Sequence, residues 1–146
     1  MIELGERVEW IPVCPEVEIG MGVPREPVQL TWNDGARPAS ERFRLVGVET
    51  GEDWTERMEA WAKQRVAGFM ALGISGFVLK ARSPSCGPDH VLVHRSPAGP
   101  TPTGRGLFAE ALAYAMPDLP TSDEERLEEP GALADFLSRV NQYAGR

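Results

Sequence analysis

Nothing in these 146 residues approaches the roughly 20 consecutive apolar residues that a membrane-spanning helix needs. The opening Met1-Ile2-Glu3-Leu4-Gly5-Glu6 has neither the basic nor the apolar section of a secretory signal. The expectation is a cytoplasmic protein with no membrane partner. Positive charge is scarce: 15 Lys and Arg against 22 Asp and Glu leave a formal net charge of -7. That balance argues against a broad nucleic-acid footprint, which needs a basic face, while leaving room for a local basic pocket. Cysteine is scarcer still. Two of them, 72 positions apart, point to free thiols, ligands or catalytic groups rather than to a disulfide framework. No internal repeat or low-complexity tract is present, and the length suits one domain with its own core.

Glycine and proline are plentiful, at 15 and 13, so loops are expected to be many. Val8 to Val13 mixes β-branched and aromatic residues and reads as a short strand, irregular at Pro12. Cys14 to Pro27 follows as a long loop stiffened by prolines, and such loops are usually functional. Val28 to Trp32 and Phe43 to Val48 alternate around the turn signal Asn33-Asp34-Gly35, predicting a β-hairpin. Gly51 to Leu72 is the clearest helix, with Thr50 as N-cap, Gly73 beyond its end, and an apolar stripe interrupted by Arg65. Ile74 to Leu79 is the next strand, so that strand, helix and strand suggest a right-handed parallel crossover. A strand at Val91 to His94, a loop at Ser96 to Pro100 and helices at Arg105 to Met116 and Pro130 to Tyr143 complete the reading, with Leu119 in a short strand and Ser122 to Glu129 as solvated acidic surface.

Both cysteines are expected to follow strands directly, Cys14 after Ile11 to Val13 and Cys86 a few residues after Leu79. Were the two strands parallel in one sheet, their carboxyl ends would share an edge and the thiols one crevice. Isolated cysteines are also among the most buried residue types, and inert core thiols are the competing reading. The flanks Pro15-Glu16 and Ser83-Pro84-Ser85 are not core sequence. Arg25, Lys80 and Arg82 could line a polar or anionic ligand, or pair with the abundant carboxylates. His90 and His94 fall on strand-like sequence with proline flanks, where a four-residue spacing is no metal pair.

Two stretches go further: Val13-Cys14-Pro15-Glu16-Val17-Glu18-Ile19-Gly20-Met21-Gly22-Val23-Pro24-Arg25-Glu26-Pro27, and Leu79-Lys80-Ala81-Arg82-Ser83-Pro84-Ser85-Cys86-Gly87. Together they resemble the thiouracil desulfidase family over roughly residues 5 to 120. The resemblance implies a small Rossmann-like α/β domain with a mostly parallel sheet flanked by helices. It further implies a bacterial lyase or hydrolase in which three cysteines hold a 4Fe-4S cluster whose fourth iron takes the sulfur of a thiolated pyrimidine. Carried over, Cys14 and Cys86 match two cluster ligands, and Glu16 and Ser83 match residues that handle protons and place substrate. Ser85, Arg25 and Gly87 are the expected substrate contacts.

The family's third ligand belongs to a Cys-hydrophobic-hydrophobic-Gly motif followed by an Arg-Tyr-Asp-Gly-like stretch, and neither occurs here. The expectation is a start codon assigned too far downstream, or a shortened homologue whose set is completed by a non-cysteine ligand or a second chain. A homodimer would then cover the apolar surface left by the absent strand. The chemistry expected is non-redox desulfuration of a small molecule such as 2-thiouracil, with soft thiolates holding the cluster and a carboxylate moving protons. Two other readings stand beside it: a non-catalytic small-molecule or partner-binding module on the same fold, and a cysteine-based redox or sulfur-carrying protein with an exposed, activated thiol.

Overall fold

The computed structural model describes residues 9–32, 43–95 and 99–145. Strands β1 (Val28–Trp32) and β2 (Phe43–Gly47) pair antiparallel, Val28 opposite Gly47 and Trp32 opposite Phe43, as the alternating sequence predicts. The turn signal between them lies outside the described residues. Strand β4 (Val91–Arg95) joins β1 in parallel and β5 (Thr101–Gly104) pairs antiparallel to β4, giving the order β2-β1-β4-β5. A second, two-stranded sheet pairs β3 (Phe77–Leu79) with β6 (Thr121–Asp123) in parallel, Leu79 opposite Asp123.

The class is α/β, but the larger sheet is mixed rather than mostly parallel. Two of its three pairings join strands consecutive in the chain, and such neighbours pair antiparallel because a parallel return needs a long crossover. The crossover expected from the hairpin through the long helix to β3 is not a crossover in one sheet, since β3 pairs with β6 instead. The strand expected over Val8 to Val13 is also absent from the described residues 9–13. Pro12 offers no ladder donor there, and Trp10 and Ile11 remain half exposed.

Helix α2 (Thr55–Leu72) buries Met58, Ala62, Val66 and Phe69 on one stripe and ends at Gly73, whose φ of 72° is the left-handed conformation a C-terminal glycine supplies. It starts four residues later than the sequence suggests. The chain at residues 52–54 still lies along β2, with Gly47 N–H on Glu52 O at 2.8 Å and Trp54 N–H on Leu45 O at 2.8 Å. Asp53 then turns the chain into the helix, its side chain accepting the Thr55 N–H two residues on at 2.9 Å. The Thr55 hydroxyl oxygen in turn accepts the Leu45 N–H at 2.7 Å.

Helix α3 (Leu107–Ala115) packs on α2 through Phe108, Ala109 and Leu112. Ring contacts of Phe108 with Trp61 at 5.2 Å and with Phe77 at 5.4 Å, and of Phe69 with Phe77 at 5.5 Å, tie both helices to β3. Each ring buried this way is worth about 1.5–3 kcal/mol before cavity effects. The last helix, α4 (Ala132–Ala144), begins after Gly131, so Pro130 stands outside it.

The acidic stretch from Ser122 is a second correction. Ser122 and Asp123 belong to β6 and are 7% and 3% exposed, not solvated surface. The buried Asp123 carboxylate is compensated by the N–H groups of Glu125 and Arg126, at 3.0 and 2.8 Å, and by the Arg126 guanidinium at 3.3 Å.

Burial pushes the Asp53 carboxyl upward, but hydrogen bonds from Thr55 and Arg44 outweigh it and hold the group below its ordinary value of 3.8. A depressed folded-state pKa adds stability above the unfolded value that is lost as pH falls through the folded one. Asp53→Asn is therefore expected to lower the urea midpoint at pH 7 and to lower it progressively less as the pH falls from the ordinary carboxylate value through the depressed folded-state one. A gap between the two chains that stays constant across that range would contradict the assignment.

Candidate functional site

Cys14 precedes a four-residue helix, α1 (Pro15–Glu18), in which proline supplies the first helical position. The Cys14 carbonyl accepts the Glu18 N–H at 3.0 Å. Glu18 fastens this helix to α2, taking the Trp61 indole N–H at 3.2 Å and lying 3.3 Å from the Arg65 guanidinium. The arginine that interrupts the apolar stripe of α2 is thus a dock for the Cys14 segment. Pro15 is buried, while the Cys14 thiol stays exposed.

Cys86 sits in the loop between β3 and β4, which closes as a tight turn at Gly87. A Cβ on Gly87 would stand 2.5 Å from Val91 Cγ2 and 2.8 Å from the Ser83 backbone, and its N–H donates to Ser83 O at 2.7 Å. The loop is seated on the start of α3. The Leu107 and Phe108 N–H groups, two of the donors a helix leaves unpaired at its start, reach Pro84 O at 3.2 Å and Ser85 O at 2.7 Å. Gly106 makes that approach feasible, because a Cβ there would collide with the backbone at Cys86 N and Ser85 C.

One run of hydrogen bonds joins the two cysteine loops. The Ser85 hydroxyl donates to Glu16 Oε2 at 2.8 Å. Having spent its proton, Ser85 must accept from Ser83 at 3.1 Å. Ser83 Oγ itself accepts the Ser85 and Cys86 N–H groups, each at 3.3 Å. On the other side, Arg25 Nε donates to Glu16 Oε1 at 3.0 Å and its Nη2 lies 3.7 Å from Cys14 Sγ. Hydrogen bonding to Glu16 raises Arg25 further above its ordinary value and keeps it cationic beside the thiol.

The structure brings Cys14, Glu16, Arg25, Ser83, Ser85, Cys86 and Gly87 into one place. The two cysteine loops meet through Glu16 and Ser85 although Cys14 follows no strand in the described residues; the dock of α1 on α2 stands in place of the expected shared sheet edge. Ser85 is 0% exposed and Gly87 is buried, and the hydrogen-bonding groups of both are committed within the protein. His90 contacts Asp89 at 2.9 Å and His94 lies on β4.

A cavity of about 290 Å³ opens here, lined by Val13 and Pro15 on either side of Cys14, by Cys86, by the apolar Phe77, Leu79 and Phe108, and by Lys80 and Glu124. Thiols carried on two adjoining loops suit an iron-sulfur cluster by donor chemistry, since soft thiolates are its ligands. They supply two positions of the set. Among the described residues, no group of three or more His, Cys, Asp and Glu could hold a metal ion. Gly106, Glu124 and the Glu18–Arg65 pair escaped sequence reading; Arg65 alone left a signal, as the charge inside an apolar stripe.

Taken together, the mixed α/β core and the two hydrogen-bonded cysteine loops define an α/β protein that carries two free cysteines on adjoining loops. The 2-thiouracil desulfurase family matches residues 2–124, and the chain belongs to that family. It is 30% identical over 113 residues to the uncharacterized protein YbbK of Bacillus subtilis (strain 168), an alignment covering 77% of this chain and 74% of YbbK. The solved structure of the 4Fe-4S-dependent thiouracil desulfidase TudS superposes with a TM-score of 0.64 at 28% identity, covering 93% of this chain and 80% of that one.

Gly106→Ala is expected to push the Cys86 backbone from its seat and cost about 1–3 kcal/mol of stability in urea denaturation. Gly68→Ala on α2, where an added Cβ meets nothing within 4 Å, should instead stabilise by about 0.4–1 kcal/mol. Equal stability of the two variants would contradict the described contact.

Proposed function

We propose that this chain desulfurates a thiolated pyrimidine such as 2-thiouracil without net redox change, using a 4Fe-4S cluster held by Cys14 and Cys86. The observation that carries the reading is the Ser85–Glu16 hydrogen bond, which places a carboxylate between the two thiol loops and beside a cavity fit for a small ring. Family membership and the likeness to TudS support the same chemistry. The sequence holds two cysteines, so the remaining cluster ligand is a group other than a thiolate of these 146 residues. When bound, the cluster supplies a Lewis-acidic iron with affinity for sulfur.

The reaction replaces a C=S bond by C=O. Water provides the oxygen, and its two protons leave with the sulfide. Glu16 already accepts from Arg25 and Ser85, and a carboxylate keeps further lone pairs with which to take a proton from water. Arg25 holds that carboxylate in place and balances negative charge near Cys14. Ser83, donating to Ser85 and accepting from the Cys86 N–H, can return a proton toward the reacting ring or the departing sulfide. The walls of Phe77, Leu79 and Phe108 keep bulk water from one side of the cavity.

The test is anaerobic reconstitution of the chain with iron and sulfide, followed by incubation with 2-thiouracil. Uracil and sulfide are expected in equal amounts, with Cys14→Ser and Cys86→Ser losing both cluster and turnover, and Glu16→Gln keeping the cluster while slowing turnover about 10²–10⁴-fold. A cluster-loaded chain that releases neither product would overturn the proposal.

A further inference from the structure

Resting on the desulfidase reading, we infer that Lys80 and Glu124 form the recognition edge of the substrate site and select a ring that presents an N–H beside a C=O. Strands β3 and β6 are parallel and in register, Leu79 opposite Asp123. The next residue of each, Lys80 and Glu124, therefore leaves the carboxyl end of neighbouring strands, the edge at which open α/β sheets bind ligands. Both line the cavity that Cys86 and the flanks of Cys14 border. They are its two charged residues, set against walls of Val13, Phe77, Leu79 and Phe108. A few polar groups on an apolar floor is the make-up of a small-molecule site, and a volume near the lower end of the usual range of about 300–1,000 Å³ suits a single heterocycle rather than a nucleotide.

The Glu124 carboxylate is held in position. Both of its oxygens take the Ala81 N–H, at 3.1 and 3.0 Å. One donor leaves most of its acceptor capacity unused. The Lys80 side chain makes no hydrogen bond or ion pair among the described residues, so its ammonium has three donors to offer. An acceptor beside a donor matches the N–H and C=O of a uracil-type ring whose thiocarbonyl is turned toward the thiols. The arrangement also accounts for an exposed acidic residue being anchored to the backbone five positions before Cys86.

The closing experiment titrates the chain, without added cluster, with uracil and with 1-methylcytosine, whose ring has no N–H beside its C=O, followed by amide chemical shifts. Uracil is expected to perturb the cavity residues and to bind about tenfold or more tightly than 1-methylcytosine, with Glu124→Gln and Lys80→Met each weakening it by about tenfold or more, the loss of one hydrogen bond to a charged group. Glu124→Gln retains an oxygen for the Ala81 N–H, and Lys80→Met touches no structural contact, so a folded variant is available on either side. Absence of uracil binding, or binding indifferent to both substitutions, would overturn the assignment. In the cluster-loaded chain, uracil production with an unchanged KM in both variants would sink this inference while leaving the desulfidase reading intact. No production from thiouracil by a loaded wild-type chain would remove the reading itself.

Discussion

The hydrogen bond from Ser85 to Glu16 is what makes two distant loops into one site. It spans 69 residues of sequence, is shielded from solvent on the Ser85 side, and ends on a carboxylate, the kind of bond worth about 1.5–3 kcal/mol. Its direction sets the rest. With Ser85 donating, Ser83 must donate to Ser85, which leaves Ser83 Oγ to gather the amides of Ser85 and Cys86. The other oxygen of Glu16 is free for Arg25, and Arg25 reaches Cys14. The Cys14 thiol and the Cys86 backbone are thereby tied to the same carboxylate.

That bond requires both loops to arrive at fixed positions, and the fold supplies the supports separately. The Cys14 side is carried by a four-residue helix too short to persist alone, which leans on α2 through Glu18, Trp61 and Arg65. The Cys86 side is seated on the first turn of α3, where Gly106 removes the side chain that would block contact. Beyond it, the end of β6 grips the start of the same loop through Glu124 at Ala81 and Glu125 at Arg82. Arg82 and His90 hold positive φ angles of 60° and 54° at the two ends of this loop, a conformation non-glycine residues keep when surrounding contacts enforce it.

Much of this was legible in the residues, and the parts that were not share a cause. The hairpin, the long helix with Gly73 at its end and the strand before Cys86 follow from local periodicity and turn chemistry, which act over a few residues. Strand partnership does not: β2, α2 and β3 look like a parallel unit until β3 is seen to pair with a strand more than forty residues on. β6 itself was hidden because Thr121-Ser122-Asp123 carries no apolar pattern; its burial depends on the amides and guanidinium that compensate Asp123. The candidate site fared similarly. Cys14, Glu16, Arg25, Ser83, Ser85, Cys86 and Gly87 stood out as chemistry-bearing types in motifs, while Gly106 and Glu124 owe their roles to three-dimensional proximity alone.

The central claim is that Cys14 and Cys86 face one crevice within a single chain, and a soft metal reads that most directly. Thiolates bind Hg²⁺ in preference to oxygen and nitrogen ligands, so native mass spectrometry of the metal-free chain with one equivalent of Hg²⁺, followed by alkylation, counts how many thiols one ion occupies. The account predicts one mercury per monomer with both cysteines protected. Two mercury ions per chain, or mercury-bridged dimers with one thiol of each chain still alkylated, would contradict it.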